Sequence, residues 1–139
     1  MTVPAILLPV FVEIALIFVL LFWMAVARQI VVRRGELTYQ DAALGYPWTG
    51  RTAQVTNAFN NQFQLPTLFF VAVVLALITH KADFVFVVLE WLFVAFRILH
   101  AAVHTGPNIV RVRGPLWGLS SFTLLAMWVL FAVHILFAG

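Results

Sequence analysis

The sequence predicts an all-α, integral membrane four-helix bundle. Three observations lead there: 64% of the residues are hydrophobic, only 9% are charged, and the apolar residues gather into four long blocks separated by short polar stretches. A membrane's hydrocarbon core is crossed by about 20 apolar residues in a helix. The 139 residues therefore hold four spans and their connections, with no room for a separate soluble domain. A single domain covering residues 1–139 is expected.

The first block runs from about Pro4 to Ala27, interrupted only by Glu13. No basic region precedes it, and it exceeds the apolar core of a cleavable signal, so it reads as a retained helix. The connection from Arg28 to Arg51 is the longest loop, with Arg33-Arg34-Gly35 as a break and Tyr46-Pro47-Trp48-Thr49-Gly50 as an interfacial turn. The second span runs from about Ala53 to Thr79. Pro66 within it should kink the helix or free a carbonyl for another partner. His80 to Asp83 form a short turn before the third span, about Phe84 to His104, and Gly106-Pro107 marks a stop or sharp bend. The fourth span extends from about Pro115 to Phe137, its proline suiting a helix N-terminus.

Charge sets the expected orientation. Arg28, Arg33, Arg34, Arg51, Arg111 and Arg113 fall in the first and third loops, against Lys81 alone on the other side. The positive-inside rule makes those two loops cytoplasmic and places both termini on the opposite face. The basic excess lies beside the membrane, where it suits contacts with lipid headgroups, and no nucleic-acid-binding patch is formed. There is no cysteine, so any thiol chemistry must use a thiol supplied by a ligand.

Against this apolar background, the stretch from Arg97 through His100, His104 and Asn108 to Arg111 stands out. Ionisable residues within membrane helices are costly and are found facing the protein interior or a wet cavity. At 1.5 Å per residue, Asn60, Asn61 and Gln64 lie roughly 10 to 17 Å in from the cytoplasmic end of the second span, and Arg97 and His100 about 6 to 10 Å in from the end of the third. Asn57, Asn60, Asn61 and Gln64 share a face of about 100°, and the polar residues from Arg97 to Arg111 one of about 80° if the helix ran on through Pro107. Two polar stripes at one depth can enclose a cavity. The same residues also suit a packing role, since amides and histidines bond across membrane helix interfaces. Glu13 and Glu90 are expected in the outer half, away from this cluster, as buried protonated or hydrogen-bonded carboxyls. His80 and His134 lie near the outer surface while His100 and His104 share one helix face, so no haem clamp is expected, and no metal site.

The segment Asn61-Gln62-Phe63-Gln64-Leu65-Pro66-Thr67-Leu68-Phe69-Phe70, followed by Arg97, His100, His104 and Asn108 at intervals of three to four residues, resembles the MAPEG family, the membrane-associated proteins in eicosanoid and glutathione metabolism, and within it the short bacterial branch. The resemblance covers nearly the whole chain. It implies a homotrimer of four-helix subunits in a bacterial inner membrane, binding glutathione as co-substrate between subunits at the cytoplasmic side and conjugating it, as a transferase or peroxidase, to lipophilic small molecules. By position, Asn60 or Asn61 matches the motif asparagine that holds the glutathione backbone, and Arg51 the basic residues that bind its carboxylates. Arg111 or Arg113 matches the arginine that stabilises the thiolate. Asn57, Gln64, Arg97, His100, His104 and Asn108 complete the expected binding set. Where better-known members carry a glutamate, this chain has Phe63 or Gln64, and histidines stand where tyrosines are common on the third helix. A catalytically silent binding or assembly subunit of the same fold is the alternative reading.

Overall fold

Thr2 opens the first helix, its side-chain oxygen accepting the Ala5 N–H at 3.4 Å, which satisfies one of the amides left unpaired at any helix start. The computed structural model describes residues 1–137. Helix α1 spans Val3–Arg33. Its 31 residues reach about 46 Å, well beyond the ~30 Å hydrocarbon core, so its last turns emerge from the membrane. It ends in a Schellman cap: Gly35 takes φ 72°, and the Gly35 and Glu36 amides donate to Val32 and Val31 carbonyls.

The first loop is partly ordered by a short helix, α2 (Tyr39–Ala43), opened by a reciprocal capping box. The Asp41 amide donates to Thr38 Oγ1 at 3.0 Å, and the Thr38 amide donates back to Asp41 Oδ2 at 3.1 Å. These bonds to Thr38 hold the Asp41 carboxyl below the usual carboxylate range.

The second span is two helices, α3 (Gly50–Asn61) and α4 (Leu65–Ile78), separated at residues 62–64. Pro66 is the cause. Lacking an N–H, it cannot bond the Gln62 carbonyl, and it sits in the first turn of α4, where the missing donor matters least. The expected kink is thus a full break, bridged by tight turns in which Gln62, Phe63 and Gln64 donate to carbonyls three residues back.

Helix α5 (Phe84–Thr105) is capped by Asp83, which accepts the Phe86 amide at 2.8 Å, and it stops before Gly106-Pro107. A Cβ at Gly106 would lie 2.9 Å from the Ala102 carbonyl oxygen, so this exit requires glycine. Helix α6 (Val110–Leu136) begins earlier than the expected fourth span, with Pro115 inside it.

The helices pack because each buries one stripe and leaves the rest to lipid. On α1 the buried residues are Ile6, Pro9, Glu13, Leu20 and Met24, and on α4 they are Pro66, Phe69, Ala72, Val73 and Ala76. These follow three- and four-residue spacing. α5 runs against α6, α1 and α3, while α4 packs on α1 and α6. The main core lies toward the end of the bundle that holds the turn between α4 and α5, where Phe69 and Phe93 stack at 4.6 Å between ring centres, beside Phe86, Leu124 and Met127. A second cluster of Leu20, Ala58 and Ala101 joins α1, α3 and α5. Small alanines there allow the close backbone approach typical of membrane helix contacts. Large apolar side chains such as Phe11, Phe18, Phe22, Phe122 and Leu125 point outward.

Candidate functional site

Ala58 and Ala101 set up the site by bringing α3 and α5 together one turn from Asn61 and Arg97. Arg97 is completely buried. Its Nη2 donates to the side-chain oxygen of Asn61 and lies 3.5 Å from the Asn61 backbone oxygen. Asn61 Nδ2 in turn donates to Gln64 Oε1 at 3.0 Å. The break before Pro66 makes this geometry possible, because it leaves the Asn61 carbonyl outside a regular helical ladder.

Glu13 of α1 is also fully buried. Neither carboxylate oxygen of Glu13 or of Glu90 has a hydrogen-bond partner, and the Nε and Nη1 groups of Arg97 also lack one. Such groups are expensive in a low-dielectric interior.

In front of this network a cavity of about 490 Å³ opens, within the range of small-molecule sites. Asn57, Asn60, Asn61 and Gln64 form one wall, His100 and His104 of α5 the next, and Arg113, Gly114 and Trp117 of α6 the third. The two imidazoles meet edge to face at 5.6 Å, each with a buried Nδ1 that has no partner. Of the two polar stripes read from the sequence, Asn57, Asn60, Asn61 and Gln64 therefore face His100 and His104 across this space.

The remaining expected site residues fall elsewhere. Asn108 is not part of the lining; it takes φ 50°, a left-handed conformation that asparagine tolerates better than most residues. From there its side-chain oxygen accepts Arg113 Nη1 at 2.8 Å, which fixes the guanidinium at the cavity. Arg111, one turn away from that bond, is exposed and lies outside the lining, as does Arg51. Arg97 sits behind the wall and reaches the cavity only through Asn61. The polar stripe of α5 does not continue as helix past Thr105, so Asn108 and Arg111 leave its face.

Sequence reading missed Trp117 and Gly114 as wall residues. An α6 start at Val110 was the required signal, since it places Arg113 and Trp117 one turn apart on one face. It also assigned Arg28 only to topology and lipid. Arg28 instead lies 5.0 Å from the Trp48 ring centre and donates to Thr56 Oγ1 at 3.4 Å, holding the first loop against α3. Tyr39 packs edge-on to the same indole at 6.4 Å. Among the described residues no three histidine, aspartate or glutamate side chains form a metal-binding group.

Among the described residues four helical segments are long and apolar enough to cross a membrane, and the last three of them line this polar cavity. The model of the MAPEG family matches residues 6–133. The chain belongs to the MAPEG family. No curated protein and no solved structure matches it. As a MAPEG chain it is an integral, multi-pass membrane protein. Its motif segment, Asn61 to Phe70, contains the break between α3 and α4, and from it Asn61 and Gln64 line the cavity. The cavity lining of this MAPEG chain holds no carboxylate. Its two tyrosines, Tyr39 and Tyr46, both lie in the first loop.

Proposed function

We propose that the cavity binds a peptide thiol, glutathione being the expected occupant, at the cytoplasmic side of a homotrimer, and delivers its thiolate to a lipophilic electrophile dissolved in the membrane. The observation that carries this reading is the convergence of Asn57, Asn60, Asn61 and Gln64 with His100, His104 and Arg113 around one cavity in an otherwise apolar bundle. A polar space of this size needs an occupant with several polar groups.

Arg113 is the residue proposed to act on sulfur. A guanidinium beside a thiol favours the charged form, because opposite charges stabilise one another, and the thiolate is the nucleophile. The thiol proton leaves to solvent. The sulfur lone pair forms a bond to the electrophilic carbon, and the electron pair of the broken bond departs with the leaving group or is protonated after addition. Arg111 shares the loop but is exposed and outside the lining, so Arg113 is preferred. Asn61 and Gln64 orient the peptide. Placing two reactants side by side removes much of the entropic barrier to their reaction.

A second reading, a binding or assembly subunit without catalysis, is favoured by the absence of a carboxylate and of tyrosine from the lining. Transfer of glutathione to a lipophilic aryl halide or enone by the purified protein separates the two. Turnover abolished by Arg113→Ala supports the transferase. Glutathione binding without turnover supports the silent subunit.

A further inference from the structure

Two histidines in the cavity wall have bonding capacity that the protein itself does not use. His100 and His104 are buried, and the Nδ1 of each is closed off from solvent with no partner. Both rings nevertheless line the cavity, so the edge that each turns toward it carries Nε2. A neutral imidazole holds one proton, and the bonds open to each nitrogen decide where it sits. On Nδ1 that proton would make a buried donor without an acceptor, which folded proteins avoid more strictly than an unfilled acceptor. On Nε2 it meets whatever fills the cavity. A second proton, added at Nδ1, would have the first defect again. Each ring therefore offers the cavity an N–H and keeps its lone pair inside the wall.

Position separates the two rings. The Asn108 N–H donates to the Val103 carbonyl at 2.7 Å, which folds the chain after α5 back against that helix's last turn. From there the Asn108 side-chain oxygen accepts Arg113 Nη1 at 2.8 Å. The guanidinium is thereby tied to the turn of α5 that carries His104, whereas His100 stands one turn further along the helix. His104 and Arg113 line the same space from two helices.

From this arrangement we propose that His104 is a catalytic residue: its Nε2–H donates to the sulfur of the bound thiol as the thiolate forms, and the ring itself neither gains nor loses a proton. This rests on the reading of the cavity as a thiol site with Arg113 at the sulfur, and on the placement of neither end of the peptide. The S–H bond breaks, its proton passes to solvent water, and the electron pair stays on sulfur. The negative charge is then met by the guanidinium on one side and the imidazole N–H on the other. A donor held in place before the charge develops stabilises it without having to reorganise.

Glutamine separates donation from proton transfer, because its amide nitrogen can take the place of Nε2 but does not titrate. The ultraviolet thiolate absorbance of glutathione bound at saturation is measured on the full chain in nanodiscs, as wild type, His104→Gln and His104→Leu. The signal is expected to fall about tenfold or more in His104→Leu, the scale of one hydrogen bond to a charged group, and to stay within about threefold of wild type in His104→Gln. Glutamine faring as badly as leucine would show that the ring accepts the proton, and would overturn the inference. Leucine matching wild type would overturn it too, as would glutathione bound to wild type without thiolate absorbance; all three leave the cavity a glutathione site. If wild type binds no glutathione at millimolar concentration, the thiol-site reading falls and the inference with it. Nitrogen NMR spectra of the wild-type chain labelled at histidine decide the matter even if both variants fail to fold: a His104 ring protonated at Nε2 alone is expected, and protonation at Nδ1 contradicts the inference.

Discussion

Arg97 donates to the side-chain oxygen of Asn61, and through that one bond a charge buried between helices controls the wall of an open cavity. The two residues lie 36 positions apart, on helices separated by the proline break. Neither could serve the other without the close approach that Ala58 and Ala101 permit.

Replacing Arg97 with methionine should lower stability by about 1–3 kcal/mol, since the side-chain oxygen of Asn61 would lose its charged donor. Adding Asn61→Leu to the same chain should cost little more, because the bond the two residues share is already gone. Thermal unfolding in detergent of the single and double variants measures both. Simple additivity of the two losses would show that the residues are not coupled.

Arg113 and Arg111 should differ sharply. Arg113→Ala is expected to weaken glutathione binding by about tenfold or more, the scale of one charge-assisted bond, whereas Arg111→Ala should leave it nearly unchanged. Titration of the two variants side by side checks this, and a larger effect at Arg111 would assign the site's charge to the other arginine.

Asn108 has two separable roles, a left-handed backbone and a bond to Arg113. Asn108→Gly keeps the first and loses the second, so binding should fall while the unfolding temperature hardly moves. Asn108→Ala loses both, and should also destabilise by about 1 kcal/mol. Equal stability of the two variants would remove backbone conformation from the explanation.

The loop clamp predicts its own consequence. Trp48→Ala removes the ring under Arg28 and beside Tyr39, at an expected cost of about 1 kcal/mol. Limited proteolysis should then cut between residues 34 and 49 faster than in the parent chain; an unchanged rate would mean that the loop is held by other contacts.

Orientation can be read directly, because the chain has no cysteine to interfere. In intact cells a membrane-impermeant maleimide should label Thr79→Cys and spare Glu36→Cys, both positions being exposed. The opposite pattern would place the first loop and the cavity on the outer side.

Much of this arrangement was legible in the residues. Four apolar blocks gave four membrane-length helical segments, and helical phase alone showed that Asn57 to Gln64 and Arg97 to His104 could face each other. Three things were hidden, each for a physical reason. Pro66 signalled a kink, but whether the helix bends or breaks depends on whether neighbours satisfy the freed carbonyls. The bond from Arg97 to Asn61 depends on side-chain direction, which helical phase alone does not give. Phase continued through Pro107 set Asn108 and Arg111 on the α5 face; the chain turns there instead, so Asn108 holds Arg113 and Arg111 faces outward.

The account stands or falls on whether the cavity is a ligand site whose charge comes from Arg113. Calorimetric titration of glutathione into the purified wild-type and Arg113→Ala proteins, under the same detergent, tests this most directly. Saturable binding with a dissociation constant no weaker than about 1 mM, lost or severely weakened in the variant, is the expected result. Absence of heat from the wild-type protein, or equal binding by both proteins, would contradict it.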